Sequence, residues 1–499
     1  MAETCDVLIL GAGLSGVGTA CHLISSFPQL DVQIVDRRQA MGGTWDLFRY
    51  PGIRSDSDMF TFGFQFRPWN EVKTLADGPS IKAYIEDTAR AHGIDKRISF
   101  GLRAVSAAWS SADNRWTVEL MDEATGAKSR RQAKFLVNCT GYYNYDQGHQ
   151  PDFPGLESYK GQFIHPQKWP DTLDYHGKRV VVIGSGATAV TIVPSMADQA
   201  AHITMLQRSP TYMMSMPGVD RLTAALCRIM PERWAYRFAR ARNIALQRWI
   251  FGFARKHPQT ARSILLSGVE KQVKGSTDMR HFTPRYFPWE ERLCAVQDGD
   301  LFKGLRAGKI SIETDTIERF TDKGIVLASG KELEADIVVC ATGLNLQSFG
   351  GTQLSVDGKA VDVAQLMTYK AVLLQDVPNF AWIFGYVNAS WTLKVDIAAA
   401  YICRLLREMQ RNGTIRVTPR APAGMLTDER IMDALQAGYV RRARDSMPRQ
   451  GREFPWRVLH DYPRDRKLLL EGPILDEALE FVAGAADQAP APYPKQLAA

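Results

Sequence analysis

The hexapeptides Gly11-Ala-Gly13-Leu-Ser-Gly16 and Gly184-Ser-Gly186-Ala187-Thr188-Ala189 stand 173 positions apart in a chain of 499 residues. Glycines at this spacing turn the chain tightly, bring backbone N–H groups up to a pyrophosphate, and let the following helix pack closely. One such turn serves many chemistries. Two in one chain imply two dinucleotides held so that electrons can pass between them.

The flanking elements support this reading. Asp6-Val-Leu-Ile-Leu10 is a short apolar run of the kind a buried parallel strand requires. The amphipathic run through Leu23 is the expected helix, with its N-terminus facing the phosphates. Val32-Gln-Ile-Val35 is a second strand, ending in Asp36. An acid 20 residues beyond Gly16 sits where a carboxylate accepts from ribose hydroxyls. In the second unit, Arg179-Val-Val-Val-Ile183 and His202-Ile-Thr-Met-Leu206 are the strands, and Gln207-Arg208-Ser209 follows without an acid. A cation and a hydroxyl there suit a 2′-phosphate, which a carboxylate would repel. The first site is therefore read as binding FAD through Gly11, Gly13, Gly16 and Asp36. The second is read as binding NADPH through Gly184, Gly186, Ala187, Thr188, Arg208 and Ser209.

Size and composition bound the alternatives. A chain of 499 residues implies two or three domains, and 45% hydrophobic with 23% charged residues is ordinary for a globular protein. The net charge of +7 is mild for this length, so no nucleic-acid partner is expected. No stretch reaches the length of a membrane span. Acids precede the first apolar run, unlike a signal peptide. The seven cysteines are scattered with no Cys-x-x-Cys pair, which argues against a dithiol flavin reductase and for a reducing, cytoplasmic setting. No metal site is expected.

A doubly nucleotide-binding α/β fold follows. Phe135-Leu-Val-Asn-Cys139-Thr-Gly141 is a strand running to a small-residue turn, and Ile337-Val-Val-Cys340-Ala-Thr-Gly343 repeats that pattern; such turns resemble the chain crossings between the domains of two-dinucleotide flavoproteins. They divide the chain into a discontinuous FAD-binding domain, 1–145 and 336–482, and an NADPH-binding domain, 146–335. Residues 217–280 interrupt the strand–helix alternation and read as a helical insertion. From Asp220 to Lys271 the insertion carries eleven Lys/Arg against three Asp/Glu. It is a solvated basic face, a weak contact for anionic membrane, or a wall of the substrate entrance. The Ala/Pro-rich residues 483–499 are expected to be disordered.

Between the fingerprints lie Gly42-Gly43-Thr44-Trp45-Asp46-Leu-Phe-Arg-Tyr50-Pro51-Gly52-Ile-Arg-Ser-Asp56 and Gly161…His165…Trp169-Pro170. Together they resemble the paired signature of type I Baeyer–Villiger monooxygenases, over nearly the whole chain. Tyr159 stands where that family usually has Phe. The resemblance implies an FAD enzyme that consumes NADPH and O2 and converts ketones to esters or lactones through a flavin C4a-peroxide. It also implies some sulfide or thioamide oxidation. By the same resemblance Arg292 is the fixed catalytic cation, suited because Arg keeps its proton, and Asp56 orients it. Gly43, Thr44, Trp45 and Asp46 pack near FAD, and Trp391 lies near nicotinamide or substrate. His165 and Trp169 coordinate domain motion rather than catalyse. Glu291 departs from the Lys common in relatives and would oppose a 2′-phosphate if it pointed inward. Two other readings stand beside this one: a flavin monooxygenase acting mainly on sulfur or nitrogen, and a non-catalytic flavin-binding protein. Native substrate and oligomeric state are left open.

Gly11, Gly13, Gly16 and Asp36 call for an adenosine ribose, which FMN lacks. The purified protein is expected to be yellow and to release FAD on heating. Recovery of FMN from the denatured protein would overturn this reading of the first fingerprint.

Overall fold

The computed structural model describes residues 3–69, 71–291 and 293–484. The first sheet is built on β1 (Glu3–Leu10), β2 (Val32–Val35), β3 (Ile98–Ser99), β4 (Leu102–Ser110), β5 (Arg115–Asp122) and β6 (Lys128–Asn138). β6, β1, β2 and β3 lie side by side in parallel, and β4–β5–β6 form an antiparallel meander on one flank. α1 (Leu14–Ser26) and α4 (Gly78–Ala91) pack beside this sheet, with the short helices α2 (Thr44–Leu47) and α3 (Met59–Phe62) between them in sequence. β1 is buried along its inner length because both its faces are covered, which is why it reads as a continuous apolar run.

The second sheet is entirely parallel. It contains β7 (Gln162–Ile164), β8 (Arg179–Ile183) and β9 (His202–Gln207). After the small pair β10 (Tyr212–Met216) and β11 (Leu293–Gln297), it gains β12 (Ile310–Thr314). A three-stranded antiparallel sheet of β13 (Ile317–Phe320), β14 (Gly324–Leu327) and β15 (Glu332–Glu334) follows, and β16 (Ile337–Cys340) completes the parallel order β12-β9-β8-β16-β7. This corrects the domain boundary expected at 335/336. β16 pairs with β8 through Ile337↔Val180 to Cys340↔Ile183, so the chain leaves the second sheet only after Cys340.

The two units are built alike. In each, the strand before the glycine turn is flanked by the strand that ends in Thr-Gly. A Cβ on Gly11 would lie 2.7 Å from the Cys139 carbonyl oxygen, and one on Gly184 would lie 2.3 Å from that of Ala341. Both glycines have positive φ, 102° and 141°. A Cβ on Gly16 would sit 1.8 Å from the Gly11 carbonyl oxygen, whereas Ala189 is accommodated at the equivalent place, fully buried.

The insertion is helical as expected: α6 (Arg221–Leu226), α7 (Glu232–Lys256) and α8 (Pro258–Val273), with α5 (Ala187–Met196) before it and α9 (Asp300–Arg306) after it. It does not belong to the second unit alone. Val269 and Val273 of α8 join that unit's core. α7 instead docks on the first unit, where Arg240 donates to the carbonyls of Gly63 at 2.7 Å and Phe60 at 3.0 Å. These carbonyls terminate α3, so the guanidinium caps a helix end. Asn243 and Gln247 donate to Asp58 at 2.8 and 2.6 Å.

After β16 the chain returns to the first sheet through β17 (Gln353–Val356) and β18 (Lys359–Ala360), then β19 (Thr368–Tyr369), β20 (Leu373–Leu374) and β21 (Phe380–Trp382). α10 (Trp391–Arg411) packs along α1 within that unit's core, and α11 (Gly438–Ala443) comes later. The disorder expected from 483 does not hold at that residue, because Ala483 still pairs with Thr414 at the end of a strand. Residues 485–499 lie outside the described residues.

The backbone geometry at Gly184 generates a prediction. Gly184→Ala forces a side chain into a positive-φ position against backbone, at a cost of about 1–3 kcal/mol. Thermal unfolding should show destabilisation and NADPH titration a weakened site, with FAD retained. Unaltered NADPH affinity would show that the second turn does not carry the nucleotide.

Candidate active site: two nucleotide crevices and the loop between them

The first fingerprint opens a cavity of about 250 Å³ lined by Gly11, Gly13, Asp36, Thr44, Trp45 and Trp391, among others. α1 starts at Gly13 with no side-chain cap and no acid in its first turn. Its leading N–H groups are thus left for an anion, as a pyrophosphate requires. Asp36 is buried at the end of β2. Its carboxylate accepts from Ala12 N at 2.6 Å and Arg38 N at 2.8 Å. Burial raises its carboxyl above the usual range, opposed by those two N–H groups. The residues present fit an FAD with its ribose at Asp36 and its pyrophosphate at the turn.

Gly42-Gly43 crosses directly over this turn. A Cβ on Gly43 would approach Gly13 Cα to 3.0 Å, so only glycines allow the contact. Thr44 and Trp45 then line the cavity. Asp46 does not. It is buried beside the cavity and holds Arg38 Nε at 2.5 Å and Lys82 Nζ at 3.0 Å. Its place is that of an anchor for the loop, not of a cavity wall.

The same loop then enters the second unit. Phe48 and Tyr50 are buried in that unit's core with Val190 and Val193 of α5. The Tyr50 hydroxyl bonds the Thr188 side chain, and burial pushes it up to about 12. A Cβ on Gly52 would meet Ser195 Oγ at 1.8 Å. Arg54 pairs with Asp300, at the start of α9, at 2.8 Å. The chain returns to line the FAD cavity at Asp56. One segment therefore touches both nucleotide turns.

α5 begins at Gly186, again without a side-chain cap or a first-turn acid, and a Cβ on Gly186 would meet nothing within 4 Å. Ala187 and Thr188 open this helix. That is an open cradle for a second pyrophosphate. Ser185 Oγ donates to the Ser209 carbonyl at 3.0 Å, fastening the turn to the end of β9. Arg208 and Ser209 are exposed there. Glu291 is half-buried. Burial raises its carboxyl, and Arg441 and Arg208 act against that rise. The departure at Glu291 is thus matched by a cation from α11, a residue 150 positions away that sequence reasoning did not find. The link is backed by Gln436 N donating to the Glu290 carbonyl at 3.0 Å.

Arg292, the expected catalytic cation, lies outside the described residues. Its neighbours in sequence are placed. Leu293 starts β11, and Cys294 Sγ donates to the Ser185 carbonyl at 3.8 Å, against the second fingerprint turn.

Trp391 opens α10, and its Nε1 donates to Ser15 Oγ in the first turn of α1 at 2.8 Å. Its ring packs 5.2 Å from that of Tyr142. It is tied to the FAD fingerprint. Tyr145 also lines this cavity; it bonds Thr44, and burial pushes its hydroxyl up to about 12. Thr140, Tyr142 and Gln347 line it too. These residues stand in the Thr-Gly crossings, whose sequences mark the turns but not which cavity they face. Cys139, below the turn, is pushed up to about 12 by burial and stays a thiol. Tyr159 keeps its ring against Phe320 at 5.8 Å and donates its hydroxyl to the Ala335 carbonyl at 2.9 Å, so the replacement of Phe is accommodated. The His165 ring lies where a Cβ on Gly148 would fall, and Trp169 packs beside the second core.

A cavity at the first glycine turn and an uncapped helix start at the second, joined by one loop, are the arrangement of a two-dinucleotide fold. Residues 64–411 match the flavin-binding monooxygenase-like family, and residues 9–78 match an NAD(P)-binding Rossmann-like domain. MymA of Mycobacterium tuberculosis is 56% identical over 98% of this chain and 100% of its own. The FAD-containing monooxygenase EthA of M. tuberculosis is 49% identical over 96% and 98%. AlmA of Acinetobacter baylyi is 52% identical over 96% and 97%. Among solved structures, an oxidised steroid monooxygenase bound to NADP matches with TM-score 0.76 and 22% identity, over 97% of this chain and 100% of that one. Open cyclohexanone monooxygenase matches with TM-score 0.75 and 21% identity over the same shares. The chain belongs to the flavin-binding monooxygenase-like family, and it is an NAD(P)H-dependent flavoprotein monooxygenase with FAD as its flavin.

The exposed guanidinium at the end of β9 is expected to read the 2′-phosphate. A charge-assisted contact contributes about 1.5–3 kcal/mol, so Arg208→Ala should lower the preference for NADPH over NADH by roughly ten- to a hundredfold. Steady-state kinetics with both coenzymes checks this. An unchanged ratio would assign the reading to another cation.

Proposed function

We propose that this chain is a Baeyer–Villiger monooxygenase that inserts one oxygen atom of O2 beside the carbonyl of a ketone, giving an ester or lactone and consuming NADPH. The observation that carries this reading is the Gly42–Asp56 loop. Its first part rests on the FAD turn and its middle is buried against α5. A signature that fastens both nucleotide units together suits a reaction in which the coenzyme must serve the flavin. Bound flavin supplies the reducing equivalents and the activation of oxygen. The side chains must bind, orient and hold charge.

Arg292 is assigned the charge. A fixed guanidinium beside the substrate oxygen stabilises the negative charge that develops there in the transition state. Asp56 lines the FAD cavity and is assigned to orient Arg292. Gly11, Gly13, Gly16, Asp36, Gly43, Thr44, Trp45 and Trp391 are assigned to FAD; Asp46 anchors their loop. Gly184, Gly186, Ala187, Thr188, Arg208 and Ser209 are assigned to NADPH. His165, wedged against Gly148 at the junction of the units, is assigned to positioning. Sulfides and thioamides are a second substrate class, because the same activated oxygen reaches soft nucleophiles. None of the seven cysteines forms a disulfide among the described residues, which suits a reducing compartment such as the cytoplasm.

Arg292→Ala should still let NADPH reduce the flavin, but release hydrogen peroxide in place of ester. The loss of ester formation should be on the order of 10²–10³. Asp56→Ala should show the same pattern more mildly. Single-turnover flavin reduction followed by product analysis with methyl ketones and sulfides separates the outcomes. Normal ester yield from Arg292→Ala would remove that residue from the mechanism. Sulfoxide as the sole product of the wild-type enzyme would replace the ketone reading.

A further inference from the structure

Among the described residues, eight of the eleven exposed large hydrophobic side chains fall between Val219 and Ile264, in the helical insertion. Scattered exposed apolar residues are ordinary; a concentration of this kind marks an interaction surface. Trp249 is 65% exposed and Ile229 79%. Their arrangement on α7 is ordered. At about 100° per residue, Trp234, Phe238, Ala241, Ala245, Trp249 and Gly252 fall within an arc of roughly 80° on one side of the helix. All six are exposed. The opposite side carries Tyr236, Arg240 and Asn243, which fix α7 to the first unit.

Charge borders this stripe. Arg233, Arg237 and Arg255 are exposed along one edge and Lys256 at its end. Arg233 and Arg237 lie 6.0 and 5.4 Å from the centre of the Trp234 ring. Beneath them opens a groove of about 770 Å³ whose walls include Phe66, Trp234, Tyr236, Arg233, Arg237 and Arg466 and contain no carboxylate. Of the three acids from Asp220 to Lys271, Asp220 is already held by Arg242.

We propose that α6 and α7 form a docking surface for an anionic phospholipid bilayer. Trp234, Phe238 and Trp249 enter the interface, and Arg233, Arg237 and Arg255 meet lipid phosphates. Charge selects this occupant. A second copy of the same face would set these cations against each other, whereas an anionic headgroup layer neutralises them. Aromatic side chains between cations suit the boundary of headgroup and acyl chain. No described helix is long and apolar enough to cross a membrane, so the contact is peripheral. The far end of α7 leads to the catalytic region: the Phe251 ring lies 6.5 Å from that of Trp289, three residues before Arg292. A ketone dissolved in the bilayer would thus be released beside the loop assigned to oxidise it, though the surface itself stands on geometry independent of that reading.

The test is sedimentation of the FAD-loaded full chain with vesicles of phosphatidylcholine alone or mixed with phosphatidylglycerol. Binding is expected to the mixed vesicles and to fall with added salt. A basic residue near such a surface is worth roughly fivefold in binding. Arg237→Gln with Arg255→Gln should therefore weaken binding by about 25-fold. Trp234→Ser with Trp249→Ser should abolish it at high salt. Flavin absorbance and NADPH oxidation with a water-soluble ketone report that the variants are folded, and both should be unchanged. Equal binding to neutral vesicles, or arginine variants that bind normally, would overturn the proposal. So would absence of vesicle binding together with a dimer, seen by light scattering, that the tryptophan variant dissociates; the covering partner would then be a second copy.

Discussion

The arrangement depends on one segment being held at both ends. Gly43 can lie on Gly13 because neither carries a side chain, and Asp46 fixes the loop there through Arg38 and Lys82. Within ten residues the same chain has its rings in the core of the other unit and its Arg54 on Asp300. Each nucleotide turn could form without the other, since each needs only its own strand, glycines and helix. Their relation to one another rests in large part on this loop. Removing Asp46 would leave two cations without their shared partner next to the flavin cavity. Breaking a buried ion pair from one side costs more than the pair contributes.

A second tie runs through buried polar groups. α7 crosses from the insertion to the first unit and is held by Arg240, which serves the carbonyl end of α3 and pairs with Asp396 at 3.4 Å. His22 bonds the other oxygen of Asp396 at 3.1 Å. Such a cluster adds little net stability, since desolvation offsets most of the attraction. What it supplies is register, because this placement of α7 satisfies Asp58, Asp396 and the α3 carbonyls together. The consequence for function is that the outer face of α7 is presented in one orientation, with its apolar stripe away from the protein.

What could be read from the sequence was what is local. Glycine turns, apolar strands and the acid ending β2 each declare themselves within a few residues, and the Arg/Ala-rich stretch reads as helix. Pairing is not local. Nothing in Ile337–Cys340 says that it lies between β7 and β8, and the boundary expected before it was one strand early. Asp46 looked like a flavin neighbour because it follows Trp45, but which carboxylate faces a cavity depends on Arg38 and on Lys82 of α4. Glu291 looked unfavourable for a phosphate because Arg441 is far away in sequence and near in space. The docking of α7 on the first unit was hidden for the same reason.

The two chain crossings add a third tie between the units. Both were legible as strand-to-turn passages, but not their pairing with each other. Asn144 N donates to the Asn345 carbonyl at 2.9 Å, Gln347 N to that of Tyr142 at 2.9 Å, and His149 N to that of Gly343 at 3.1 Å. The crossings form one antiparallel ribbon, bridged at Tyr143 and Leu346. A ribbon of two strands resists stretching but bends readily across its plane. The ribbon therefore holds the two units at a fixed separation, alongside the Gly42–Asp56 loop. His165 stands at the ribbon's end: its Nδ1 accepts from Gln167 N at 3.1 Å, and Gln167 Nε2 donates to the Asn144 carbonyl at 2.8 Å. Burial lowers the affinity of His165 for a second proton. The ring is wedged against Gly148 and packs the end of this ribbon.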